Sequence, residues 1–142
     1  MWCGASPAGA MRIEGDGPSA MSLSLAKATD FCAGLPGAVV DLKWGADLCY
    51  CIGGRMFAVF QTRDGRTACE PPSFKADAHR FLELTDRPGI VPAPYLARAK
   101  WVRITRLDAM PQDELHALLA RSHALIAEKL TRKLRQELGI EP

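Results

Sequence analysis

Leu48-Cys49-Tyr50-Cys51-Ile52-Gly53-Gly54-Arg55-Met56-Phe57-Ala58-Val59-Phe60 consists of two apolar runs joined by a pair of glycines. Both central residues of a type I′ turn take positive φ, which only a residue without Cβ adopts at no steric cost. The stretch therefore predicts a β-hairpin with Gly53-Gly54 at its tip. Working outward, Val39 to Trp44 reads as the preceding strand, turned by Gly45-Ala46-Asp47, and Arg55 continues as a third strand to about Gln61. Thr62-Arg63-Asp64-Gly65-Arg66 carries the next turn, with Asp64-Gly65 its strongest signal.

Beyond that turn, Pro71-Pro72 cannot donate ladder hydrogen bonds, so pairing of a fourth strand centres on Ser73 to Ala76. Asp77 is placed to cap a short helix from Ala78 to Thr85, burying Phe81, Leu82 and Leu84. The proline-rich run from Ile90 to Ala97 is too apolar to stay in solvent and is expected to pack across the domain. Trp101 to Thr105 gives a fifth strand, with Trp101, Arg103 and Thr105 on one face and Val102 and Ile104 on the other.

Two longer helices flank this core. The first starts at Ser22 or Ser24, repeats Leu25, Ala28, Phe31, Cys32 and Leu35 at helical spacing, and stops at Pro36-Gly37. The last starts at Pro111, aligns Leu115, Leu118, Leu119, Ser122, Leu125, Ile126 and Leu130 in one stripe, and is expected to pass Leu134 before Gly139 ends it. The fold class is α+β: a two-layer sandwich whose mostly antiparallel five-stranded sheet carries the N- and C-terminal helices on one face.

With 142 residues, 48% hydrophobic and 24% charged, the chain suits one domain, expected over residues 22–142 behind a flexible tail at 1–21. Met11 and Met21 offer alternative translation starts. Neither a secretory leader nor an apolar run of about 20 residues is present, which predicts a cytoplasmic protein without a membrane span. Five cysteines without a C-x-x-C pair read as reduced thiols. The net charge of +2 falls far short of a nucleic-acid coat protein, so any nucleic-acid contact needs a local patch.

Leu35-Pro36-Gly37, Lys43-Trp44-Gly45, Leu48-Cys49, Gly53-Gly54-Arg55-Met56-Phe57, Phe74-Lys75, Pro88-Gly89-Ile90, Ala93-Pro94-Tyr95-Leu96-Ala97-Arg98, Lys100-Trp101-Val102 and Glu114-Leu115 follow in an order that resembles the MmcQ/YjbR family, from about residue 24 to residue 134. The resemblance implies a frataxin-like (CyaY-like) sandwich, a double-wing arrangement and a non-enzymatic, DNA-binding role. The chain departs from the family pattern at Arg55, where a lysine is usual, at Asp77-Ala78, and at Ser122-His123, where Ser-Tyr is usual. Frataxin-type iron binding does not transfer, because the first helix offers only Asp30 against Lys27 in place of an acidic ridge.

Double-stranded DNA is the expected partner, and phosphate contact needs cations gathered on one surface. Arg98, Lys100, Arg103 and Arg106 form the densest positive segment, with Trp101 among them, while Lys43, Arg55, Arg63, Arg66 and Lys75 flank the candidate wings. Lys129, Arg132, Lys133 and Arg135 are explained by the negative end of the last helix. The alternative is an interaction or small-ligand module whose groove is lined by Trp44, Tyr50, Tyr95 and Trp101. Cys49 and Cys51 share a strand face, yet the paired spacing of a metal site is missing, so no metal or other cofactor is expected. No nucleophile elbow, phosphate loop or paired carboxylates are found, and only the adjacency of Ser122 and His123 touches on catalysis.

Overall fold

The computed structural model describes residues 23–43, 47–64, 67–94 and 96–140. The tail expected over residues 1–21 lies outside them, as do Trp44, Arg66, Tyr95 and the side chain of Lys43. Ser24 opens helix α1 (Leu25–Ala33), its hydroxyl accepting the Lys27 amide at 3.2 Å and so satisfying one of the donors that a helix start leaves open. The chain then builds β1 (Val39–Lys43), β2 (Asp47–Ile52) and β3 (Arg55–Gln61) as an antiparallel meander. Gly53 and Gly54 take φ of 55° and 84°, as the hairpin tip requires.

Tyr50 pairs with Ala58 but Cys51 pairs with Met56, so Phe57 is the extra residue of a β-bulge. The bulge turns Phe57 fully into the core. It also breaks the ladder towards β4 (Ser73–Lys75), which pairs with β3 only at Ala58–Phe74 and Val59–Ser73. Ser122 closes that gap: its Oγ donates to the Phe57 carbonyl at 2.7 Å and accepts the Lys75 amide at 3.0 Å. One buried hydroxyl thus replaces two missing strand contacts and ties the sheet to the helix above it.

The sheet has six strands rather than the expected five. β6 (Trp101–Ile104) inserts between β4 and the additional strand β5 (Ile90–Pro92), giving the order β1-β2-β3-β4-β6-β5 with every pairing antiparallel. The run expected to cross the domain therefore begins as an edge strand, where Pro92 is tolerated because its missing N–H faces outward. A 3-10 turn at Ala97–Ala99 then delivers the chain to β6, with Lys100 in the left-handed region at φ 69°.

Helix α2 spans Ala78–Thr85, as the sequence predicts, but Leu82 is 76% exposed while Leu84 is fully buried. The expected single C-terminal helix is two: α3 (Gln112–Ala127) and α4 (Arg132–Glu137). Thr131 explains the break, because its side chain caps the Leu134 amide at 3.1 Å and starts a new helix. The bend brings Leu130 and Leu134 under the hairpin tip, where a Cβ on Gly53 would lie 2.8 Å from Leu130 Cδ2.

α3 packs on β3 and β4, α1 packs on α3, and α2 packs on β5 and β6. Tyr50, Ile52, Phe57, Phe60, Phe74, Val102 and Ile104 point beneath them into one core. The described helices lie on one face of the sheet, as expected for the sandwich. The strand registers leave Cys49, Met56, Val59, Gln61, Ser73, Trp101 and Arg103 on the other face.

Candidate functional site

The cations singled out in the sequence do not form one group. β3, about 20 Å long at strand rise, separates Arg55, its first residue, from Arg63, two residues past its end. Arg55 belongs to the end of the sheet that carries the Gly-Gly hairpin, together with Lys75 at the close of β4, and Arg98 and Lys100 just before β6. The backbone of Lys43, at the end of β1, and Arg63 belong to the opposite end. The two candidate wings thus point away from each other and do not grip one surface. Arg103 belongs to neither end, because it sits mid-sheet opposite Ser73.

At the hairpin end several positive charges gather without an ion pair among the described residues. Lys75 Nζ donates to the Ala99 carbonyl at 2.6 Å, which fixes it beside the turn that carries Arg98 and Lys100. Burial, followed by the charges of Lys129 and Lys100, holds the Lys75 ammonium below the ordinary lysine value. Lys129 had been explained by the helix end alone, and its nearness to Lys75 makes it a member of this group. Lys100 Nζ lies 5.2 Å from the centre of the Phe81 ring, a cation–π contact that leaves its charge unneutralised. Asp77, two residues after Lys75, is already held by Arg121 at 2.9 Å, which keeps its carboxyl below the usual range. Arg132 and Lys133 extend the exposed positive surface along α4, whereas Arg135 turns inward to the Ala127 and Leu130 carbonyls and caps α3.

Arg80, Arg87 and Arg106 are neutralised. Arg106 pairs with Asp108 at 2.9 Å, so it leaves the positive segment the sequence suggested. Arg87 joins Glu83 at 2.7 Å and Glu114 at 2.9 Å, and Arg80 joins Glu83 at 3.0 Å.

On the face of the sheet opposite the described helices, helix-free among the described residues, lies a cleft of about 670 Å³. Met56 and Val59 form its floor on β3, and Pro71, Ala93, Pro94 and Leu96 contribute apolar surface from the connections. Four polar residues interrupt that lining: Asp47, Gln61, Ser73 and Arg103. The groove expected around Trp44, Tyr50, Tyr95 and Trp101 is differently built. Tyr50 faces the helices, packed edge-on to Phe60 at 5.8 Å, and burial pushes its phenol up. Trp101 is on the correct face but only 4% exposed, and it does not line the cleft. Trp44 and Tyr95 lie outside the described residues. The cleft could have been found by carrying strand alternation across β3, β4 and β6, but that needs the non-sequential strand order.

Ser122 and His123 serve the fold. Ser122 is bound to two backbone groups, and His123 Nε2 donates to the Pro36 carbonyl at 2.8 Å while its ring stands edge-on to Phe57. His116 stacks on Phe31 at 4.4 Å, and burial lowers its pKa. Cys49 and Cys51 do share a face, whereas Cys69 lies past the end of β3, its thiol against the Gln61 carbonyl. Cys32 is buried in the core, where its thiol is pushed up to about 12. Among the described residues no group of three or more His, Cys, Asp or Glu side chains is placed to hold a metal ion, and no helix is long and apolar enough to cross a membrane.

A family model named YjbR matches residues 33–125, which takes in the hairpin, the sheet and most of α3. The chain belongs to the YjbR family. Among solved structures it is similar to the crystal structure of the Deinococcus radiodurans protein DR2400, of domain family DUF419, with a TM-score of 0.70 and 25% identity over 85% of this chain and 91% of that one. No curated protein matches the chain. YjbR membership and this likeness agree with the sandwich read from the hairpin outward.

Proposed function

We propose that this YjbR protein is a non-enzymatic DNA-binding protein that contacts the phosphate backbone with the hairpin end of its sheet. The observation that carries the reading is the trio Lys75, Lys100 and Lys129, which has no ion pair among the described residues and in which Lys100 and Lys129 repel the Lys75 charge that a phosphate would stabilise. Arg55 at the hairpin tip, Arg98 on the 3-10 turn, and Arg132 and Lys133 on α4 widen this surface. Arg63 and Lys43 fall outside it, and so does Arg103. Contacts of this kind position a protein on the duplex without reading base edges, so binding should show little sequence preference.

Titrating the ¹⁵N-labelled protein with a short duplex at low salt tests the surface directly. Amide shifts should concentrate at residues 53–55, 75–76, 98–100 and 129–133 and spare Arg63. Shifts centred on Arg63 or on the cleft, or none at all, would overturn the reading.

A further inference from the structure

We infer that the cleft on the helix-free face binds a small organic carboxylate with an apolar body, and that Arg103 anchors its carboxylate. This does not depend on DNA binding, because none of the hairpin-end cations Arg55, Lys75, Arg98, Lys100 and Lys129 lines the cleft.

The size fits: about 670 Å³ is within the roughly 300–1,000 Å³ usual for small-molecule sites. So does the composition, with an apolar floor and few polar groups. Among the described residues Arg103 is the only cation in the lining, and it is half-buried. Its one side-chain hydrogen bond among the described residues is a long one, Nη2 to the neutral Gln61 Oε1 at 3.3 Å. Arg80, Arg87, Arg106 and Arg121 all have carboxylate partners, so Arg103 differs from them in holding a charged fork towards a partly apolar space without an ion pair among the described residues. A guanidinium in such surroundings is best satisfied by a planar carboxylate that takes two parallel hydrogen bonds.

Asp47 narrows the choice further. It stands opposite Gln61 on the neighbouring strand and also lines the cleft, so a multiply charged anion such as a phosphate would meet a like charge there. A singly charged head on Arg103, with a hydrocarbon or aromatic body over Met56, Val59 and Leu96, meets less of that repulsion. The same reasoning argues against nucleic acid, because a polyanionic backbone needs several exposed cations and the described residues of this cleft offer one.

The test is a ¹⁵N titration of the full chain with indole-3-acetate, 3-phenylpropionate and octanoate, each compared with its neutral amide, and with inorganic phosphate. At least one carboxylate should give saturable shifts at Met56, Val59, Gln61 and Arg103, and its amide should bind at least tenfold more weakly. Arg103→Gln should remove that preference, whereas Arg103→Lys should keep part of it. No saturable shift with any of the three acids would overturn the inference. So would equal binding of acid and amide, or phosphate binding as tightly as the acids. The acid-against-amide comparison uses the unaltered chain, so a variant that fails to fold leaves the outcome decidable.

Discussion

The two ends of the sheet use charge in opposite ways. At the end where α2 leads into β5, the arginines are consumed by the fold: Arg80 and Arg87 share Glu83 and Glu114, and Arg106 closes on Asp108. At the hairpin end, Lys75, Lys100 and Lys129 crowd together with no acid in an ion pair among the described residues. A net charge of +2 conceals this, because it averages a neutralised end with a charged one. What distinguishes a candidate phosphate contact is therefore the absence of a nearby partner. The number of basic residues in a segment carries less information.

The comparison can be broken where the hairpin end is fastened to the helix. Ser122→Ala should cost about 2–4 kcal/mol in urea unfolding, because it strands both the Phe57 carbonyl and the Lys75 amide in the interior. Asp108→Asn, which opens an exposed pair at the other end, should leave the midpoint unchanged. If the two variants unfold alike, Ser122 does not hold the positive end in place.

The hairpin tip provides a smaller effect. Gly54→Ala should cost about 1–2 kcal/mol for its positive φ alone, since nothing lies near its Cβ position. Gly53→Ala should cost more, because its Cβ also meets Leu130 and Leu134. Thermal melts of the two variants would decide, and equal losses would mean that Leu130 and Leu134 move aside freely.

The smallest effect sharpens the electrostatic side. The Lys75 pKa is depressed in the fold, so its ammonium opposes folding below that folded value. The opposition fades as pH rises through the folded pKa towards the ordinary 10.5. Lys129→Gln removes one of the two repelling charges and should raise the Lys75 pKa, seen by NMR of the side-chain amine. Burial is the larger cause, so the recovery should be partial. No change would place Lys129 out of reach of Lys75.

Most of the sandwich was legible from the hairpin because its signals, paired glycines and strand alternation, are local; Asp77 does precede α2, but its carboxylate binds Arg121 and makes no side-chain cap. β5 was missed because Pro92 argues against a strand unless its edge position is known, and the α3–α4 break because Thr131 lies inside an otherwise helical pattern. The Leu82 error came from extending an apolar run where the face had already turned outward. The candidate site was less legible. Arg55, Lys75, Arg98 and Lys100 were identified, but their separation from Arg63 and Arg103 depends on the strand order, and the inclusion of Lys129 depends on where α3 ends. The cleft is a product of register across three strands, of which only β3 and β4 are consecutive in sequence.

The most direct test of the central claim is the salt dependence of duplex DNA binding by the unaltered chain and by Lys75→Gln/Lys100→Gln/Lys129→Gln, measured by fluorescence anisotropy. The unaltered chain should bind at low salt, and the triple variant should bind more weakly with a log–log slope shallower by about 2–3, while Arg63→Gln keeps the parent slope. An unchanged slope in the triple variant, or no binding by the unaltered chain at low salt, would contradict the claim that the uncompensated end is the phosphate-binding surface.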